Sequence, residues 1–137
     1  MIDWITELPL IRAEALKHHL LDPCLIMAIR RQEAGRPGRD FGVLSTSAPT
    51  YADQLHICCN TVIHRLYAFT GNPLIADPND NKSLRYSAKF IRYLASIWAP
   101  VGAVNDPSNL NTYWPDAVIG FYNSFITEEK LNATHIG

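Results

Sequence analysis

Apolar residues recur at helical spacing in five segments of this chain, and proline, glycine or a polar run separates the segments. The spacing predicts helices over residues 9–21, 23–34, 50–68, 83–98 and 112–126. Residues 35–49 hold three glycines and read as a shaped loop that has room for a short β-hairpin. We therefore expect a mostly α domain, with α+β as the alternative, and a loosely held tail over residues 127–137.

Length and charge limit the classes of function that this chain can have. Its 137 residues make one domain with a core of useful size. A net charge of −1 gives no general attraction to nucleic acid or to an anionic membrane. No segment approaches the ~20 apolar residues of a membrane span, and charged residues in the first twenty argue against a signal peptide. We expect no nucleic-acid partner, no membrane insertion and synthesis in the cytoplasm.

The three cysteines are poor candidates for a disulfide framework. Cys24 stands alone and Cys58 adjoins Cys59, so reduced thiols that pack as small apolar side chains are the expected state. His56, Cys59 and His64 are residue types that bind zinc. The thiols fall on the apolar side of the third helix and the histidines on its polar side, so they do not converge unless another element joins them. We predict no metal site and no cofactor.

Glu33 is the charged residue that departs most from the apolar pattern. It follows Ile29 by four residues and Ile26 by seven, so a carboxylate continues the face that the second helix turns to the core. The last turn lies at the negative end of the helix dipole, and partial burial also disfavours charge. Both effects predict a raised pKa, as a proton donor near neutral pH requires. The alternative is a solvated side chain, or one paired with Arg30 or Arg39.

Three short segments resemble known motifs in their order along the chain. Residues 22–35 (DPCLIMAIRRQEAG) form an apolar helix that ends in a glutamate before a glycine-containing loop, residues 41–44 read FGVL, and residues 121–124 read FYNS. Together they resemble the lysozyme-like superfamily, above all its soluble lytic transglycosylase and goose-type lysozyme branches. Glu33-Ala34 stands where that family has Glu-Ser. The family's Gly-Leu-Met-Gln loop ends in a glutamine that residues 41–44 lack, and Gln54 is the candidate to take its place.

The resemblance implies a single lysozyme-like domain that cleaves peptidoglycan or a related amino-sugar polysaccharide, with Glu33 protonating the glycosidic oxygen. It also implies that Gln54, Tyr122 and Asn123 bind substrate and that Tyr122 lies close enough to orient Glu33. Tyr51, at a loop edge, is a candidate for stacking on a sugar ring. Such a domain fits a bacteriophage endolysin or a lysis module, which acts at the cell wall once a secretion or virion partner has released or delivered it.

A second carboxylate would decide the reaction. Asp40 is the nearest candidate, and Glu33, Asp40 and Thr46 resemble the Glu-Asp-Thr triad of phage-type lysozymes. Asp53 is another, although a place at a helix start favours a dipole role for it. With a second carboxylate the reaction is hydrolysis; without one the sugar's own hydroxyl attacks and an anhydro product forms. The alternative to both is a non-catalytic lysozyme-like domain that binds glycan or a protein partner.

Overall fold

The computed structural model describes residues 2–20, 22–35, 37–44, 47–71, 86–99, 101 and 110–136. Over these ranges the chain forms five α-helices and one 3-10 turn, and it forms no β-strand. The helices are α1 (Trp4–Lys17), α2 (Cys24–Glu33), α3 (Tyr51–Thr70), α4 (Ala88–Trp98) and α5 (Trp114–Ile136). The predicted mostly α class is confirmed, whereas the described part of the Gly-rich loop holds turns in place of the β-hairpin.

The first helix begins earlier than predicted. The Asp3 carboxylate caps it, accepting hydrogen bonds from the backbone N–H of Thr6 at 3.4 Å and from its hydroxyl at 2.8 Å. Pro9 was expected to start the helix, and that expectation is wrong, because Pro9 lies inside it. Pro9 is exposed, so the carbonyl that loses its N–H partner there can bond to water. The helix ends at Lys17, before the predicted Leu21.

The second helix is the centre of the molecule. Every residue from Cys24 to Arg30 is buried, and α2 packs most extensively against α5 and also contacts α1. Its bounds match the predicted ones to within one residue. The Asp22 carboxylate accepts a hydrogen bond from the Cys24 N–H at 2.9 Å, as an N-capping residue does. Ala34, at φ 43°, ends the helix in the left-handed conformation that glycine adopts most easily.

The third helix packs against α1 and α4, and the fourth helix packs against α3 and α5. Thr50, the predicted first residue of the third helix, is its cap and accepts a hydrogen bond from the Asp53 N–H. The helix ends at Thr70, two residues past the predicted end, and Gly71 caps it at φ 78°. Asp53 lies in the first turn, where the helix dipole favours a negative charge. The fourth helix begins at Ala88 with Ser87 as its cap. The predicted start at residue 83 lies outside the described residues.

The last helix is longer than expected. A 3-10 turn (Leu110–Tyr113) leads into α5, and Pro115 falls in the first turn, where its missing N–H costs nothing. The helix continues past the predicted end at Ile126 as far as Ile136, so the tail that was expected to be loosely held is helical. No helix in the described ranges has the length and hydropathy needed to cross a membrane.

Candidate active site

Glu33 ends α2 and lines a cavity of about 380 Å³. The indole N–H of Trp114 donates a hydrogen bond to Glu33 Oε1 at 2.9 Å. The Trp114 ring stacks on that of Trp98 with 6.3 Å between the ring centroids. The other described residues that line the cavity are Gly35, Arg39, Gly42, Leu44, Trp98, Ala99 and Asn111. The carboxyl group therefore meets a tryptophan pair and the Gly-rich loop at an open space.

Burial sets the ionisation of Glu33. It raises the pKa of the carboxyl, and the hydrogen bonds from Trp114 and Trp98 oppose it only in part. Arg30, a candidate ion-pair partner, is paired with Glu7 at 2.7 Å. Arg39 lines the same cavity, but none of the described residues forms an ion pair with Glu33. The direction of the pKa shift agrees with the expectation from helix position.

Gly42 is the glycine of the loop whose backbone lies against the Glu33 carboxyl. Its φ of 75° is a conformation that L side chains rarely adopt. A Cβ atom at this position would lie 2.5 Å from Glu33 Cδ and 2.6 Å from Oε2. The N–H of Gly42 donates to the carbonyl of Arg39 at 3.0 Å, which closes the turn. Glycine is thus needed here for both backbone conformation and space.

Gln54 fixes the Gly-rich loop, residues 35–49, through hydrogen bonds to the loop backbone. The side chain has no exposed surface. Its Oε1 accepts hydrogen bonds from the N–H groups of Phe41 and Val43, at 3.2 and 3.1 Å. Its Nε2 donates to the carbonyls of Gly38, Val43 and Ala48, at 2.9–3.0 Å. Gln54 therefore positions the loop that carries Gly42, and it offers no surface for the direct substrate contact that was expected.

Asp40 and Tyr51 belong to a second group of polar residues, which also includes Glu7 and Arg30. Asp40 is buried, and its Oδ1 accepts a hydrogen bond from the Gly38 N–H at 3.2 Å. The Tyr51 hydroxyl donates to Glu7 Oε1 at 2.8 Å, and Arg30 joins the group by donating to Glu7 and to the Asp40 carbonyl. Of the described residues that line the Glu33 cavity, none is Asp40 or Tyr51. Thr46, the third member of the expected triad, lies outside the described residues.

Tyr122 lies at the opposite end of α2 from Glu33. Its hydroxyl donates to Asp22 Oδ2 at 2.7 Å and accepts a hydrogen bond from the Tyr86 N–H at 3.0 Å. Asp22 precedes α2 and Glu33 ends it, which separates them by about 15 Å along the helix. The expectation that Tyr122 orients Glu33 is therefore wrong, and Trp114 provides that contact. Asn123 is an exposed residue of α5 beside Tyr122, away from the described cavity lining.

Sequence reasoning missed the tryptophans, because their helical spacing is equally typical of core residues. One signal was available: a buried indole N–H needs an acceptor, and a carboxylate on a core-facing stripe supplies one.

No protein-family model, curated protein or solved structure matches this chain. Chemically, the arrangement keeps a proton on Glu33 to a higher pH than an ordinary glutamate does, and it presents that proton to a cavity.

Proposed function

We propose that this chain is a peptidoglycan-cleaving glycosidase of the lysozyme-like kind, with Glu33 as its general acid. The observation that carries the proposal is the environment of the Glu33 carboxyl, which is half-buried, bonded to an indole and open to a cavity. A carboxyl in apolar surroundings against a tryptophan is also the environment that raises the pKa of the acid in lysozyme. The resemblance of residues 22–35 supplies the class of substrate.

The proposed reaction begins with transfer of the Glu33 proton to the glycosidic oxygen as the bond from that oxygen to the anomeric carbon breaks. Glu33 is the one carboxylate among the described residues of the cavity lining. We therefore favour the lytic transglycosylase reaction, in which a hydroxyl of the same sugar attacks the anomeric carbon. That hydroxyl returns its proton to Glu33, so the acid is regenerated and no water is consumed. Arg39, on the cavity wall, is suited to bind a substrate carboxylate.

The test is cleavage of purified peptidoglycan by the parent chain and by Glu33→Gln. Glutamine keeps the size of the side chain but cannot give up a proton, so we expect a loss of about 10³-fold. Glu128→Gln makes the same change at an exposed position of α5 and should retain activity. Circular dichroism of each variant shows whether it is folded. Full activity in folded Glu33→Gln contradicts the proposal.

Product analysis separates the remaining possibilities. Anhydro ends support the transglycosylase reaction, whereas reducing ends indicate a hydrolase and a second carboxylate, for which Asp40→Asn is the first variant to assay. The second candidate function is a non-catalytic domain that binds glycan or a protein partner. It is favoured by Gln54 and Tyr122, which are buried and bonded within the fold. This second function would be supported if the parent chain binds peptidoglycan and releases no glycan fragments from it.

A further inference from the structure

A cluster of three metal-ligand side chains lies where α1 meets α3, and it shares no residue with the described lining of the Glu33 cavity. Glu14 lies in the last turn of α1 and His18 is the C-terminal cap of that helix. The two residues are four positions apart, so their side chains lie on the same side of the helix. His56 comes from α3. The sequence placed His56 beside Cys59 and His64 without a point of convergence, and α1 is the element that brings two further ligands to His56.

The distances in the cluster suit a small cation. Glu14 Oε1 lies 3.1 Å from His18 Nε2 and 2.9 Å from His56 Nδ1. The ligand atoms of all three residues lie within 4.8 Å of one another. A tetrahedral zinc ion with bonds of about 2.1 Å separates neighbouring ligand atoms by about 3.4 Å. Shifts of a few tenths of an ångström at Glu14, with adjustment of the histidine rings, would therefore admit the ion.

The exposure of the three side chains allows them to form a metal site and allows an ion to reach it from solvent. Glu14 and His18 are 18% and 12% exposed, so the packing of α1 restrains them, whereas His56 is 59% exposed and free to adjust. Lys17 lies 3.5 Å from the second carboxylate oxygen of Glu14, and this ammonium group competes for the negative charge. It is 74% exposed and can move into solvent when a cation binds.

We propose that Glu14, His18 and His56 bind one divalent transition-metal ion of the zinc class and thereby tie the end of α1 to α3. Two imidazoles and one carboxylate select zinc, cobalt or nickel over calcium and magnesium, which prefer oxygen ligands. Three protein ligands leave a fourth position for water. The proposal revises the prediction that the chain has no metal site, and it does not depend on the function proposed for Glu33.

The test is calorimetric titration of the full chain, first stripped with a chelator and dialysed, with zinc chloride at neutral pH. We expect one ion per chain and no heat of binding from calcium chloride. His56→Ala should weaken zinc binding by at least about 10-fold, since losing even an indirect partner of a metal ligand has that effect. His64→Ala is the matched control, because it removes another exposed histidine of α3 that lies outside the cluster.

Thermal unfolding gives an independent readout of the same ion. Zinc should raise the melting temperature of the parent chain and of His64→Ala, because a ligand that binds only the folded state stabilises it. The rise in melting temperature should be smaller in His56→Ala at the same zinc concentration. The proposal is overturned if zinc does not bind, or if His56→Ala binds it as tightly as His64→Ala does. In either case the three residues form a hydrogen-bonded cluster only.

Discussion

The two ends of α2 each carry a carboxylate, and the two carboxylates are held in opposite ways. Asp22, before the helix, is 5% exposed and accepts hydrogen bonds from the Cys24 N–H and the Tyr122 hydroxyl. It also lies at the positive end of the helix dipole. Glu33, at the negative end, is half-buried and accepts hydrogen bonds from the indoles of Trp114 and Trp98. Burial is common to both residues, whereas the end of the helix dipole that each one meets is not.

The comparison shows that burial alone does not make a proton donor. A buried carboxylate that precedes the first turn of a helix accepts a backbone N–H bond and caps the helix. A half-buried carboxylate at the end of the helix that repels negative charge is disfavoured as an anion, even though two indoles donate to it. That arrangement leaves Glu33 poised to give up a proton when a substrate oxygen arrives.

After the loss of the acid itself, the largest effect should come from changing the contact between Gly42 and the Glu33 carboxyl. Gly42→Ala places a Cβ 2.5 Å from Glu33 Cδ and forces alanine to φ 75°. We expect a loss of activity of at least about 10-fold from the misplaced acid. The free energy of unfolding should fall by about 2 kcal/mol, as the backbone strain and the clash add. Peptidoglycan cleavage and chemical denaturation measure the two effects.

Gly71 offers a control for the backbone part of that effect. It has nearly the same φ, 78°, but a Cβ there meets nothing within 4 Å. Gly71→Ala should therefore cost about 1 kcal/mol of stability and leave the activity unchanged. Equal activity in the two alanine variants would mean that the position of the Glu33 carboxyl does not matter for cleavage.

The next effect concerns the other end of α2. Asp22→Asn removes the charge at the helix N-terminus and one of the two acceptor oxygens that Cys24 and Tyr122 use. The fold should lose about 2 kcal/mol of unfolding free energy in denaturant titrations. The pH profile of cleavage should keep its position, because Asp22 does not reach the cavity. A shifted profile would show that the two ends of the helix are coupled.

The smallest effect is a gain in stability, expected for Glu33→Gln. The pKa of Glu33 is raised in the fold, so its stabilising contribution is complete below the ordinary glutamate pKa and is lost as pH rises through the raised value. Above that pH the parent chain carries a charge that the fold disfavours and Glu33→Gln does not. Glu33→Gln should then be more stable by about 1 kcal/mol at neutral pH, and the gain should vanish in acid. Urea titrations of both proteins at several pH values test this.

Features that depend on neighbours in sequence could be predicted. The cap at Thr50, the stop at Gly71 and the core face of α2 follow from residue type and helical spacing, and so does the partial burial of Glu33. Pro9 shows the limit of such rules, because the cap at Asp3 outweighs the cost of a proline on the exposed side of α1. Local signals compete, and sequence does not state which of them prevails.

Features that depend on distant pairing could not be predicted. The bond from Trp114 to Glu33 spans 81 positions and that from Tyr122 to Asp22 spans 100. Which aromatic residue meets which carboxylate depends on how α5 docks on α2, and no periodicity encodes that register. The same holds for Gln54, which was expected to bind substrate and instead organises the loop.

We infer that the surroundings of Glu33 hold its carboxyl group as a proton donor. The most direct measurement is an NMR titration of the side-chain carboxyl carbons in the full chain, with the Glu33 signal assigned by its absence from Glu33→Gln. We expect a Glu33 midpoint above the ordinary glutamate value of about 4.3. A midpoint at or below that value would contradict the role of proton donor, because the site would then hold an ordinary anion.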